Sequence, residues 1–164
     1  MENMITVSSF TKSYGVPAIR FGWVICKDEK LMESIRRFVF HYLGAIVSPN
    51  DDLFACDILD NREKLLDRTR GIVARNMEII EKWVKENGRV SWIKPPGGTL
   101  AYIKLPSQCN AIEFCRALKE KYKTIVVPSS MFWHSGFVRI SIGGSSERLA
   151  YGLQNITKCL AEFV

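Results

Sequence analysis

The sequence predicts an α/β fold that ends in an α+β subdomain, and three observations lead to this class. Two short apolar runs, at 5–7 and 23–25, are typical of strands and flank an irregular loop. An amphipathic pattern of helical period extends from about Glu63 to Asn87. From Val90 onward the patterns follow the order β-β-α-β-β-α, which predicts a small sheet covered on one side by helices.

The loop between the first two predicted strands covers residues 9–22. Gly15, Pro17 and Gly22 interrupt it, so we expect neither regular helix nor sheet there. Apolar residues at helical spacing then predict a helix over 27–41, and Gly44 is its predicted stop signal.

A second helix is predicted to begin with Ser48 as its N-cap and Pro49 in its first turn, because both residue types are typical of helix starts. Four side chains would supply its apolar face, namely Leu53, Phe54, Cys56 and Ile58. We expect a break at Asn61, after which the long helix runs to a stop at Asn87 and Gly88.

The last third of the chain carries two further helix starts. Asn110 is the predicted N-cap of one helix, with Glu113 as its capping-box partner, and Ser145 begins the final helix. The predicted strands of this region cover 90–93, 99–105, 124–127 and 137–142.

Composition excludes several classes of protein. The net charge of +6 is spread among acidic residues without a long basic run, so we expect no nucleic-acid partner. No apolar run approaches the ~20 residues that a membrane span needs, so we expect no membrane partner. The five cysteines form no CxxC pair and there are only two histidines, which predicts no metal site and free thiols in a cytoplasmic protein.

The loop at 9–22 carries the first candidate site. A deprotonated lysine such as Lys12 can form an imine with an aldehyde, and the planar guanidinium of Arg20 suits a phosphate or a carboxylate. From the residues alone, the alternative is that both side chains are ordinary solvated charges.

The same stretch resembles the cofactor-attachment signature of the class I/II aminotransferases, which are pyridoxal-phosphate enzymes of fold type I. Ser9, Lys12, Gly15, Arg20 and Gly22 fall on that signature in register. The resemblance implies that Lys12 holds pyridoxal 5'-phosphate as an imine and that Ser9 and Arg20 bind its phosphate. The substrates that it implies are an amino acid and a 2-oxo acid.

A second candidate residue, Arg139, lies in an otherwise apolar strand. Without further information, this arginine could face solvent or pair with a local glutamate. The segment 126–141, however, resembles the small-domain ending of the same family, which implies that Arg139 binds the α-carboxylate of the substrate. Trp133 and His134 stand where the family often has small residues, and both could line the substrate pocket.

The resemblance also implies a division of the chain. Residues 1–62 would be the C-terminal remnant of the large cofactor-binding domain, 63–88 a long interdomain helix, and 89–164 the small α+β domain. The chain thus resembles the C-terminal portion of an enzyme that forms a homodimer when intact.

The predicted function is pyridoxal-phosphate-dependent transfer of an amino group from an amino acid to a 2-oxo acid. Two alternatives stay open. One is a decarboxylase or synthase of the same superfamily, which would use Lys12 and Arg20 in the same way. The other is a non-catalytic fragment or interaction module, because the family's ring-binding aspartate and stacking aromatic residue precede the lysine, and only eleven residues precede Lys12 here.

Overall fold

A computed structural model of the chain describes residues 4–43 and 48–163, with the exception of the Leu43 side chain. The predicted stop signal at Gly44 lies outside these residues. The chain divides into two compact units, Met1–Asp67 and Arg68–Val164. The three-part division expected from the sequence, at 1–62, 63–88 and 89–164, stays a prediction.

Over residues 4–43 and 48–67, the first unit contains a two-stranded antiparallel sheet and three helices, followed by the start of a fourth. Its elements are β1 (Ile5–Ser9), α1 (Phe10–Ser13), β2 (Gly22–Cys26), α2 (Glu29–Leu43) and α3 (Pro49–Asp60). The strands pair from Ile5 opposite Cys26 to Ser9 opposite Gly22. The expectation that residues 9–22 contain no helix was wrong, because the chain makes one helical turn, α1, directly after β1.

Phe10 is the centre of the core of the first unit. It is 1% exposed, and its ring centroid lies 5.2 Å from that of Tyr14 and 5.1 Å from that of Trp23. α3 contributes Ala55 and Ile58, which lie on one side of the helix because they are three residues apart.

The predicted apolar face of α3 was therefore wrong in all but one position. Ile58 is buried, but Leu53 and Phe54 are 69% and 52% exposed, and Cys56 is exposed as well. The physical reason is that the core of this unit is narrow and meets only the side of the helix that carries Ala55 and Ile58.

The second unit has the predicted order of strands and helices. α4 (Arg62–Asn87) begins in the first unit and continues here, followed by β3 (Ser91–Trp92), β4 (Leu100–Lys104), α5 (Ala111–Tyr122), β5 (Val127–Pro128), β6 (Phe137–Ser141) and α6 (Ser146–Leu160). The four strands pair antiparallel in the order β3-β4-β6-β5.

Alternate residues of the central strands point into a core that the helices share. Ala101 and Ile103 of β4, and Val138 and Ile140 of β6, are buried in it together with residues of α4, α5 and α6. This arrangement agrees with the predicted small α+β sheet that is covered by helices.

Two of the three predicted N-caps use their side chains. Asn110 Oδ1 accepts hydrogen bonds from the backbone N–H groups of Ile112 and Glu113, at 2.9 and 3.3 Å. Ser145 Oγ accepts one from the Arg148 N–H at 3.3 Å. Ser48 does occupy the N-cap position of α3, but its side chain makes no capping hydrogen bond.

A buried asparagine on α4 holds the chain between β6 and α6. The Asn76 side chain is fully buried and donates to the carbonyl oxygens of Ile142 and Gly144, at 2.9 and 2.8 Å. Its own oxygen accepts from Ser146 Oγ at 2.7 Å. The periodicity of α4 did not reveal this residue, because its partners are 66 to 70 positions away in the sequence.

Replacing this asparagine tests how much the network contributes. We expect Asn76→Ala to lower the free energy of unfolding by about 2–4 kcal/mol, because the buried Ile142 carbonyl, the partly buried Gly144 carbonyl and the Ser146 hydroxyl lose this partner. Urea unfolding measures the change. Gln154→Ala is the matched control, since it removes an exposed amide from a helix of the same unit; equal effects of the two substitutions would contradict the prediction.

Candidate functional site

The first candidate site lies at the junction of β1 and α1. Ser9 is the last residue of β1 and the N-cap of α1, and its side chain makes no capping hydrogen bond. Lys12 follows in α1 and is exposed to solvent. Its neighbour Phe10 points into the core, and two steps along a helix turn the side chain to roughly the opposite side.

Arg20 lies against the helix that carries Lys12. Its Nη1 donates to Thr11 Oγ1 at 3.3 Å and to the Pro17 carbonyl oxygen at 3.5 Å. Because Thr11 directly precedes Lys12, the loop returns the guanidinium to the same end of the hairpin as the lysine. Sequence reasoning did not identify Thr11, whose contact depends on how the loop closes.

The base of the loop is closed by the backbone. The Phe10 N–H donates to the Phe21 carbonyl oxygen at 3.3 Å, and Ser9 pairs with Gly22 across the hairpin. A side chain at Gly22 would place its Cβ 2.8 Å from the Ser8 carbonyl oxygen and 3.3 Å from Ser9 Cβ. The close approach of the strands therefore accounts for glycine at this position of the signature.

The second candidate site lies on the face of the four-stranded sheet opposite the core. Arg139 of β6 is half-buried and stands between Tyr102 of β4 and Val127 of β5 in the strand register. Its guanidinium carbon lies 4.3 Å from the centroid of the Phe132 ring. Among residues 4–43 and 48–163, no carboxylate lies within ion-pair distance of this guanidinium, so the local glutamate that the sequence allowed is not its partner.

An open pocket of about 330 Å³ adjoins this face of the sheet. It is lined by Tyr102, Phe132, His134 and Phe137. His134 is thus a pocket residue, as the sequence allowed. Trp133 is not in its lining, and it is 97% exposed with a left-handed backbone (φ +59°) that bulky residues seldom adopt.

The turn that carries Phe132 is tied to β6 by a buried serine. Ser129 is fully buried, and its hydroxyl accepts from the Phe137 N–H at 3.2 Å and donates to the His134 carbonyl oxygen at 3.3 Å. The Ser129 carbonyl also accepts from the His134 N–H at 3.2 Å. Neither Phe132 nor Ser129 was identified from the sequence, since their contacts arise only when the turn packs on the strand.

The thiols of the second unit are poor nucleophiles. Burial raises the pKa of Cys115 and that of Cys159 to about 11, because a thiolate is costly to form in an apolar core. Burial likewise raises the pKa of Cys109. In the described part of the chain, no three or more His, Cys, Asp or Glu side chains are grouped so as to hold a metal ion.

The described helices also lack the combination of length and apolar character that crossing a membrane requires.

Of the four site residues expected from the sequence, Ser9, Lys12 and Arg20 lie in the first unit and Arg139 lies in the second. Their roles stay predictions.

The sequence of the chain is similar to that of known proteins. The sequence profile of the family "Aminotransferase class I and II" matches residues 1–156. A probable aspartate/prephenate aminotransferase of Aquifex aeolicus is 31% identical over 167 residues, which cover 96% of this chain and 41% of that protein. The capreomycidine synthase of Streptomyces vinaceus is 21% identical over 159 residues, covering 96% of this chain and 40% of that protein.

The fold of the chain is likewise similar to that of a solved aminotransferase structure. A PLP-dependent aminotransferase from Streptococcus suis matches with a TM-score of 0.90 and 28% identity over 98% of this chain. The match covers 42% of that protein. The chain thus spans 40–42% of the length of each of these three relatives.

The crowding at Gly22 gives a testable consequence. We expect Gly22→Ala to lower the free energy of unfolding of the first unit by about 1–3 kcal/mol, because the new methyl group overlaps the backbone of the opposite strand. Tryptophan fluorescence during urea unfolding reports on this hairpin in a background where Trp83, Trp92 and Trp133 are replaced by phenylalanine, so that Trp23 alone emits. Gly97→Ala is the control, since no heavy atom lies within 4 Å of a Cβ at that position; a Gly22 variant as stable as this control would refute the steric explanation.

Proposed function

Because the chain belongs to the aminotransferase class I and II family, we propose that the protein containing it transfers an amino group from an amino acid to a 2-oxo acid with pyridoxal 5'-phosphate. The observation that carries the proposal is the hydrogen bond from Arg20 to Thr11, the residue before Lys12. It brings the proposed phosphate ligand to the helix that carries the proposed attachment residue.

The chemistry of these side chains fits that cofactor. The Lys12 amine suits covalent attachment to an aldehyde, and the exposed Arg20 guanidinium with the Ser9 hydroxyl suits a phosphate. When bound, the cofactor supplies a carbonyl for the amino group and a ring that withdraws electrons from the substrate α-carbon.

Lys12 has a second proposed role once the substrate amine has displaced it. Its Nζ, as a neutral amine, would take the proton from the substrate α-carbon and return it at the neighbouring carbon of the cofactor. Solvent exposure of the side chain supports this role, because the amine needs freedom to move between the two carbons.

Arg139 is proposed to bind the α-carboxylate of the substrate. A guanidinium without a carboxylate partner among the described residues keeps its N–H groups available, and its planar fork suits a two-pronged contact with a carboxylate. Fixing the carboxylate would also fix the orientation of the bonds at the α-carbon.

A second candidate function is a synthase reaction on the same cofactor. The similarity to capreomycidine synthase, at 21% identity over 96% of the chain, favours it. The same residues would hold cofactor and substrate in either reaction. Product analysis separates the two, because a transaminase yields a 2-oxo acid from its donor whereas a synthase keeps the amino acid skeleton or rearranges it.

Two further proposals concern the cellular compartment and the oligomeric state of the protein. We propose a cytoplasmic homodimer, and the five unpaired cysteines support a reducing compartment. The first unit also exposes many large apolar side chains, which supports its packing against further protein surface. They include Met4, Ile5, Val7, Ile25, Phe38, Phe40, Tyr42, Leu53, Phe54 and Leu59.

The attachment role of Lys12 is tested in the full-length protein. We expect wild type to gain an absorbance band near the visible edge when pyridoxal phosphate is added, and borohydride reduction to fix the cofactor on the peptide that contains Lys12. Lys12→Ala should lose both signals, because the other lysines lie outside the loop that carries the proposed phosphate ligands Ser9 and Arg20. Lys27→Ala, which removes another exposed lysine of the same unit, should keep them. Reduction that still labels the Lys12→Ala protein would disprove the assignment.

The chain of 164 residues by itself is expected to be inactive. It corresponds to 40–42% of its relatives' length, and the family's ring-binding aspartate and stacking aromatic residue are expected from the part that precedes the lysine. We therefore expect no measurable 2-oxo acid from these residues alone, and concentration-dependent association in sedimentation experiments because of the exposed apolar side chains. Turnover by the isolated chain at a rate near that of the full-length protein would contradict this.

A further inference from the structure

The contact between Phe132 and Arg139 carries an inference that rests on the proposed function. We propose that Phe132 is a positioning residue, whose ring supports the Arg139 guanidinium without supplying a hydrogen-bond acceptor, so that the N–H groups stay available for the substrate carboxylate. Nothing in the family comparison assigns this role. The geometric basis is the 4.3 Å separation between the guanidinium carbon and the ring centroid.

The distance and the burial suit such a role. A guanidinium within about 6 Å of an aromatic centroid is attracted by the negative face of the ring, and partial desolvation strengthens this attraction. Both side chains are half-buried. Phe132 and Arg139 therefore make a contact that is stronger than one fully exposed to water, yet open to a ligand.

The mode of contact matters as much as its strength. A carboxylate partner would hold Arg139 through its N–H groups, and those are the groups that a substrate carboxylate needs. The Phe132 ring offers no oxygen or nitrogen acceptor, so it does not pair with the N–H groups of Arg139 as a carboxylate would. Within the described residues, the Arg139 side chain makes no hydrogen bond, so its donors are unused while its position is held.

The turn that carries Phe132 is joined to β6 by hydrogen bonds. The buried Ser129 joins the turn of residues 129–132 to the start of β6 through hydrogen bonds with Phe137 and His134. β6 also carries Arg139. The ring and the guanidinium are thus carried by a turn and a strand that these hydrogen bonds join.

Steady-state kinetics of the full-length protein test this proposal. The two probes are the standard amino acid with the highest kcat/KM in wild type and the primary amine that lacks only its carboxylate. We expect Phe132→Leu and Phe132→Met to lower kcat/KM for the amino acid on the order of three- to tenfold, mainly through KM, because the guanidinium loses its support. The value for the amine should change less than about twofold, since the amine has no carboxylate to bind.

Three further variants separate a specific effect of Phe132 on Arg139 from a general effect on the protein. Phe132→Tyr keeps an aromatic face and should restore the wild-type value to within about twofold. In an Arg139→Ala background, Phe132→Leu should have almost no further effect, because the two residues act as one unit. Tyr151→Leu makes the same kind of aromatic-to-leucine change at an exposed position on α6 and should leave both probes unchanged.

The outcomes separate this inference from the proposed function. If Arg139→Ala fails to weaken the amino acid relative to the amine, the proposed carboxylate role of Arg139 is wrong. If Arg139→Ala does so but Phe132→Leu affects both probes equally, or acts equally in the Arg139→Ala background, Phe132 is only structural. Failure of both the leucine and the methionine variants to fold would also overturn the positioning role.

Discussion

The burial of apolar neighbours decides where each candidate cation points. Phe10 fills the core of the first unit, and the single helical turn that follows β1 therefore directs Lys12, two residues later, to the solvent. Had Phe10 been exposed, the same turn would have carried the lysine inward, where an unpaired ammonium is costly. The direction in which Lys12 points thus depends on an aromatic side chain that has no part in the proposed chemistry.

In the second unit, the burial of apolar neighbours also sets the direction of the candidate cation, because side chains along a strand alternate between the two faces of the sheet. Val138 and Ile140 are buried against the helices, so Arg139 between them must stand on the opposite face of the sheet. The antiparallel register then places Tyr102 and Val127 on either side of it. A one-residue slip of β6 would exchange these faces and bring the guanidinium into the core.

Local patterns predicted most of the fold because its elements follow local rules. The long helix, the caps at Asn110 and Ser145 and the order of the last strands all depend on residues close in sequence. Long-range contacts were not predictable in this way: Asn76 bonds to residues 66 to 70 positions away, and Arg139 contacts a ring on a preceding turn. The signature from Ser9 to Gly22 could be identified as residues in register, but the return of Arg20 to Thr11 required the folded loop.

The way in which Arg139 is held has a consequence for turnover. An enzyme that binds and releases a carboxylate in every cycle must break whatever contact occupies the guanidinium donors beforehand. An internal ion pair would compete with the substrate, because the incoming carboxylate would have to be desolvated while the displaced carboxylate lost its partner. In the proposed arrangement the Phe132 ring avoids this competition, because it supports the guanidinium without offering an acceptor to its N–H groups. Under the carboxylate role proposed for Arg139, the turn anchored by Ser129 would contribute to binding by positioning the Phe132 ring, without contacting the substrate.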